Sequence, residues 1–377
     1  MSNRIIIIGL GDVGGHQLEI FARTPGISKI YVADINERIG FRQVYSARTG
    51  TSHLGKYPNI EFLKIDLNDI KETAEIIKKL NPNIIMHNAT MMSNLEWARL
   101  PEEITGKLIS AGISEIVPCH LTLTYKLMKS VQIAQSNAHV VMSPYPDVVN
   151  AALGKVGLAK NLIGLGNIDY IVPGIQKVAA DKFRASMQNV LVFLVAPYAL
   201  LNYIFRYGDT GDLPYFLKII IKGKDVTSEL DIRELLKEVS GYLSLLTIRD
   251  LGFIAASSGV KNALAIMNNT GLFTHAPGPL GLPGGYPITL DAEGAELALP
   301  DELTLKKAVQ INQNVIKEVD GVERIEENGT IVFTDKCANI WKEIFEYDCK
   351  ELKIEDNEKR VKEILSIHKD FVKSKSI

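Results

Sequence analysis

The chain has 377 residues, a formal net charge of −2, 46% apolar residues and 23% charged residues. That length is enough for two domains sharing a large core, and the composition is ordinary for a globular protein. The near-neutral balance excludes an electrostatic footprint for nucleic acid or for an anionic membrane surface.

Arg4 to Ile8 is a β-branched run that reads as a buried strand, followed by a glycine turn and a helix from about Gly14 to Arg23. Lys29 to Ala33 is a second strand ending at Asp34, and Ile60 to Ile65 a third ending at Asp66. Asp69 to Leu80 has helical spacing in Ile70, Ala74 and Ile77, stopped by Asn81-Pro82. Ile84 to His87 predicts a fourth strand, Leu108 to Ala111 the end of a helix, and Ser114 to Val117 a fifth strand. Leu121 to Ala134 reads as a helix and His139 to Met142 as a sixth strand. Strands separated by helices imply a parallel sheet with right-handed crossovers. Solid apolar strands fit a sheet covered on both faces, as in a doubly wound fold.

After about Asn150 the pattern changes. Val190 to Val195 and Phe216 to Ile221 predict longer strands of an antiparallel or mixed sheet, with Lys222 to Asp225 as a turn. The longest apolar stretch, Val190 to Phe205, is interrupted by Pro197, Tyr198 and Asn202 and falls short of the ~20 residues of a membrane span. It reads as a strand followed by a helix. Asp231 to Ile266 is mostly helical, and His275 to Pro287 reads as a glycine- and proline-rich loop. Leu303 to Lys317 is helical, Gly329 to Thr334 a late strand, and Asp335 to Phe345 and Glu355 to Val372 are helices. The expected class is α/β. A doubly wound parallel-sheet Rossmann domain spans residues 1–150. A second α+β domain for substrate and oligomer contacts spans 151–334, and helices over 335–377 pack back on the body.

The strongest motif is Gly9-Leu10-Gly11-Asp12-Val13-Gly14, directly after the first strand. The first glycine permits a tight turn, the second lets backbone approach a pyrophosphate, and the third lets helix and strand pack closely. The pyrophosphate would sit on the helix amino end. Asp34 closes the second strand and is placed to accept the adenosine ribose hydroxyls. A carboxylate there repels a 2′-phosphate, which favours NAD over NADP, although Arg38 lies nearby. Asp66 is placed to face the adenine, and Asn88-Ala89-Thr90 to line the second ribose.

Three cysteines, Cys119, Cys337 and Cys349, are too few and too scattered for a disulfide framework or a metal knuckle. With no signal-peptide pattern, they point to a reducing cytoplasm. No histidine spacing suggests a metal site.

Through GLGDVG, YVADIN, KIDLND and IIMHNAT, the first half resembles the cofactor domain of saccharopine dehydrogenase-like and related NAD-binding reductases. The chain also resembles the lactate and malate dehydrogenases. The segments that carry this likeness are Val140 to Val149, Leu162 to Asp169, Gly284 to Leu290, Gly294 to Leu299 and Leu303 to Ile316. The resemblance implies an NAD-dependent dehydrogenase. In that family an aspartate is closely followed by an arginine that clamps the substrate carboxylate, and a histidine comes later. Here Asp169 is followed by Tyr170-Ile171-Val172-Pro173, the later strand carries Ala196-Pro197-Tyr198, and Ser143 stands where that family has asparagine. The lactate and malate reactions themselves are therefore not expected.

Hydride transfer to or from an alcohol or amine carbon needs a proton partner. His120, at the head of a helix, Lys126 on that helix, and His275 before the glycine-rich segment are the candidates. Asn150 and Tyr286 are candidate substrate contacts, with Asp147 and Arg206 weaker ones. His87 reads as structural. The expected function is NAD-dependent hydride exchange with a small hydroxy acid, amino acid or opine-like compound, in a homodimer. Two alternatives stand beside it. One is an extended short-chain-type epimerase or dehydratase. The other is a non-catalytic dinucleotide-binding protein.

Overall fold

A computed structural model describes residues 3–93, 96–97, 99–112 and 116–374. Its centre is a six-stranded parallel sheet made of β1 (Arg4–Ile8), β2 (Lys29–Asp34), β3 (Ile60–Lys64), β4 (Ile84–His87), β5 (His139–Met142) and β6 (Leu162–Gly164). The strand order is β3-β2-β1-β4-β5-β6, so the chain reverses direction across the sheet between β1 and β4. That switch point opens a crevice at the strands' carboxyl ends. Every residue from Ile5 to Ile8 is buried because both faces are covered. Ile6 and Ile8 point into one core, while Ile5 and Ile7 point into the other.

The crossovers are α1 (Asp12–Arg23), α2 (Glu37–Ser52), α3 (Ile70–Leu80), α4 (Glu102–Ala111), α5 (Val117–Ile133) and α6 (Pro146–Lys155). Asp69 caps α3, and Asn81 closes it in the left-handed region ahead of Pro82, as the sequence predicts. α2 has no clear apolar period in the sequence. It buries only Gly40, Val44, Ala47 and Thr51, all small side chains, and Gly40 lets it approach Phe62.

Two expectations are corrected here. Ser114 lies outside the described residues. Ile116 and Val117, assigned to a fifth strand, are instead the entrance of α5, because Pro118 in the first turn supplies a preset φ and needs no amide partner. β5 pairs with β4 in the place that strand would have taken, and the sheet gains its last strand beyond residue 150. The second correction concerns His275 to Pro287, which is not a loop. β10 (Leu272–Pro277) and β11 (Gly285–Asp291) form an antiparallel hairpin, with His275 opposite Pro287. Only the tip, Gly278 to Gly284, is irregular, and Gly278 and Leu280 take positive φ there.

β7 (Val190–Val195), β8 (Phe216–Ile221) and β9 (Lys224–Asp225) form one small antiparallel sheet. β12 (Gly294–Leu297) joins the β10–β11 hairpin. Around them lie α7 (Val172–Lys182), α8 (Tyr198–Tyr207), α9 (Ile232–Leu243) and α10 (Ile248–Met267). α10 starts in a capping box between Thr247 and Asp250, and it packs along α1. α11 (Leu305–Val315) continues into a π-helical turn, Ile316–Asp320. β13 (Val322–Ile325), β14 (Ile331–Phe333) and β15 (Glu351–Leu352) make a third small sheet. Among the described residues no single helix is long and apolar enough to cross a membrane.

The last helices, α12 (Asp335–Phe345) and α13 (Asn357–Ser374), pack against α4 and α5. Trp341 anchors them, with ring centroids 5.3 Å from Trp97 and 5.1 Å from Phe345. His368 covers the other side of Trp97 at 4.9 Å. Trp341→Ala should lower unfolding stability by about 3–5 kcal/mol in a denaturant titration. An unchanged midpoint would show that this segment lies outside the core.

Candidate functional site

β1 delivers the chain into a turn whose shape is set by glycine. Gly9 has φ +88°, and a Cβ there would lie 2.6 Å from the Ala89 amide nitrogen. A Cβ on Gly14 would lie 1.9 Å from the Gly9 carbonyl oxygen. Both positions are closed by the chain itself. Gly11 differs, because a Cβ there would meet nothing within 4 Å. The backbone is bare at that point on the side that opens to the crevice. α1 begins directly after Gly11 with no side-chain cap, so its first amides are left for an outside acceptor. The Leu10 amide donates to one carboxylate oxygen of Asp34 at 2.8 Å, and the Asn36 amide donates to the other at 2.8 Å. The end of β2 is thereby tied to the turn.

The crevice has a volume of about 410 Å³ and runs from Gly11, Asp12, Val13 and Gly14 past Asn88, Thr90 and Ser93 to the ends of β5 and β6. The start of α10, through Ile248, Leu251, Gly252 and Ala255, forms its other wall. Its floor is polar and aromatic: His120, Ser143, Tyr145, Asn167, Tyr170 and Tyr198. Tyr145 sits between two prolines at φ 48°, ψ 58°, as the cap residue of α6. A left-handed tyrosine costs on the order of 1–3 kcal/mol, which surrounding contacts must offset. One such contact is its hydroxyl, which donates to Asp320 at 2.5 Å. Asp320 ends the π turn after α11, a distortion that often marks a functional position.

Two carboxyls lie beneath this floor. Asp147 accepts from the Tyr198 amide at 2.8 Å and from the Asn167 side chain at 2.9 Å. Burial pushes its carboxyl up to about 7, against those two hydrogen bonds. Burial likewise pushes Asp320 up to about 7; the Tyr145 hydrogen bond opposes the rise and the Asp147 charge adds to it. Burial pushes His120 down to about 4, so its imidazole is neutral at neutral pH. The ring meets Tyr145 edge-on, with centroids 6.2 Å apart.

The crevice therefore gathers Gly11, Asp12, Val13, Gly14, Asn88, Thr90 and His120 from the sequence-derived set, with Gly9, Leu10, Ala89 and Asp34 shaping the turn behind them. The remaining expected residues lie elsewhere. Lys126 is nearly buried under α13, where it pairs with Glu358 at 2.5 Å and donates to Asn68 at 2.8 Å. Its ammonium is consumed in holding the C-terminal helix, which corrects the catalytic assignment. His275 is corrected in the same way. It is buried in β10, its Nε2 accepts from the Leu194 amide at 3.2 Å, and burial pushes it down to about 4. Asn150 donates to the Gly278 carbonyl at 3.1 Å, and the Tyr286 hydroxyl donates to the Pro283 carbonyl at 2.7 Å. Both fasten the hairpin tip and do not line the crevice. Asp66 is exposed and accepts from the Asn68 amide at 2.9 Å, closing its own turn. Arg206 is exposed on α8. His87 is fully buried, with Nε2 3.0 Å from the Thr124 hydroxyl, in the structural role expected of it. No group of three metal-ligating side chains occurs among the described residues.

Tyr145, Asn167, Tyr170, Tyr198 and Asp320 were not singled out from the sequence. Tyr145 had a signal in the prolines on both sides of it. Asp320 had none, since it reaches Tyr145 across 175 positions of sequence.

No family model matches the chain, and no curated protein matches it. Solved structures do match its fold. Malate dehydrogenase from Plasmodium falciparum in complex with NADH matches at 16% identity and a TM-score of 0.56, covering 84% of this chain and 96% of that one. The minor L-lactate dehydrogenase from Enterococcus mundtii in its ligand-bound form matches at 15% identity and a TM-score of 0.59, covering 86% and 99%. Lactate dehydrogenase from Cryptosporidium parvum complexed with lactic acid and nicotinamide adenine dinucleotide matches at 17% identity and a TM-score of 0.56, covering 85% and 96%. At these identities the likeness establishes the fold, an α/β Rossmann core with antiparallel additions.

The two buried carboxyls make stability depend on pH. Their folded values lie above the ordinary carboxyl value, so the folded chain holds protons that the unfolded chain has released. Their contribution is full below about pH 4 and is lost as pH rises toward about 7. Asp320→Asn, which keeps an acceptor for Tyr145, should flatten the fall in unfolding free energy over that interval. An unchanged slope would show that Asp320 is ionised throughout.

Proposed function

We propose that the chain is an NAD-dependent oxidoreductase exchanging a hydride with a small polar metabolite. The observation that carries this reading is the asymmetry of the three glycines. Two are forced by the chain's own contacts, while Gly11 leaves its Cβ direction open beside uncapped helix amides. A diphosphate fits such a cradle. The residues suit the cofactor: the α1 amides for the diphosphate, Asp34 for the adenosine ribose, and Asn88 to Thr90 for the second ribose. The Asp34 carboxylate favours NAD over NADP, with exposed Arg38 four positions on as an opposing charge.

When bound, the nicotinamide supplies the hydride chemistry. The chain's own residues would orient the substrate and handle a proton. Tyr145, held by Asp320, is the hydroxyl best supported for that role, and neutral His120 beside it can donate or accept. Ser143, Asn167 and Tyr198 would fix polar groups of the substrate. The tyrosine-x-x-x-lysine spacing of short-chain enzymes occurs at Tyr125 and Lys129, but Lys129 stands over the Tyr125 ring at 5.8 Å and neither side chain lines the crevice. Homodimeric assembly and a cytoplasmic location belong to the same reading.

NADH fluorescence titration tests the cofactor, and a metabolite screen followed by NADH absorbance tests the reaction. Gly11→Ala should fold with unchanged stability and bind NADH at least about tenfold more weakly, because its methyl group takes the space of the diphosphate. Wild-type protein that fails to titrate with NADH, or a Gly11→Ala variant that titrates as well as wild type, would overturn the reading.

A further inference from the structure

We propose that the substrate end of the crevice takes an alkylamine, bound as the ammonium or the iminium ion, and not a compound with a carboxylate at its reacting end. The hydride step rests on the dinucleotide reading above, while the charge argument rests on the crevice lining alone.

Among the described residues no lysine or arginine lines the crevice. Its floor carries three tyrosines instead. Tyr170 and Tyr198 stand 6.3 Å apart between ring centroids and are inclined at 47°, with Tyr145 close by against His120. Inclined aromatic faces around a small space attract a compact organic cation. Carboxyls back two of the three rings: Asp320 accepts from the Tyr145 hydroxyl, and Asp147 from the Tyr198 amide. The Asp147 Oδ1 oxygen is buried without a hydrogen-bond partner, and as pH rises through about 7 this carboxyl gains a negative charge that a bound cation would offset. Half-buried Lys261, behind this floor, is already neutralised, since it pairs with Asp169 at 2.5 Å. His120 adds no charge at neutral pH. A carboxylate entering this floor would meet acids with no clamp, and an ammonium would meet acids and ring faces.

The chemistry balances with the cofactor class already named. In the oxidative direction the ammonium gives a proton to the Tyr145 oxygen as Tyr145 passes its own proton to Asp320. The amine carbon then releases a hydride to the oxidised dinucleotide, and the nitrogen lone pair closes a C=N bond, leaving an iminium cation. Positive charge grows on nitrogen during that step, and the acidic floor favours its growth. Water hydrolyses the iminium to a carbonyl compound and ammonium.

Calorimetric titration of the cofactor-free protein with butylammonium chloride, tetramethylammonium chloride and sodium butyrate tests the charge preference without any turnover. Both cations should bind at least about tenfold more tightly than butyrate. Tyr170→Phe should keep that preference and Tyr170→Ala should lose it, with NADH affinity unchanged in both. Butyrate binding as tightly as the cations, or cations that do not bind, would overturn the proposal. NADH failing to bind while the cations bind would remove the dinucleotide reading and leave the amine site standing.

Discussion

The approach of α1 to β1 is the constraint on which the molecule turns. The Gly9 carbonyl and the Gly14 α-carbon are so close that no side chain can stand between them. That closeness brings the start of α1 to the sheet's switch point, and the Asp34 carboxylate locks it there through the Leu10 amide. Everything further along the crevice is measured from this corner. β4 packs its end against the same turn through Ala89, and α10 closes over it where Gly252 makes room for Asp12.

The far end of the crevice follows another rule. There the chain accepts unfavourable local states: a left-handed tyrosine between prolines, a π turn, and two buried acids whose carboxyls burial pushes up to about 7. Each would be removed by a sequence selected for stability alone, so their grouping around one space is what a binding or reacting site looks like. The contrast with Asp169 is informative. That acid is also buried, but it carries Lys261 and Ser258 as partners, and its carboxyl stays out of the crevice lining.

Most of the parallel half was legible because its signals are local: apolar runs mark β1 and β4, a glycine triplet marks the turn, and Asn81-Pro82 marks a helix end, whereas the apolar Ile116-Val117 pair looked like a strand and opens a helix. The second half was legible as helices and long strands but not as a hairpin, because Pro277, Pro279 and the glycines around them look like a loop until the pairing of His275 with Pro287 is seen. The glycine corner could be read from six consecutive residues. The floor could not, because it is assembled from segments ending near residues 120, 145, 167, 198 and 320, each ordinary by itself. Lys126 and His275 misled for the reverse reason: residue type suggested chemistry, while burial and partners assign both to holding elements together.

The aromatic anchor at Trp341 sets an order of events. Trp97, a few positions past the crevice-lining Ser93, has its ring buried against side chains that emerge more than two hundred residues later. Asp320 likewise arrives late beneath Tyr145. While the chain is being synthesised, the parallel sheet and its glycine corner can form first, but the floor beyond them lacks its supports until nearly the whole polypeptide has left the ribosome. The glycine corner thus draws on neighbouring segments, the floor on segments from the far end of the chain, and a truncation near the carboxyl end would strip the floor's supports first.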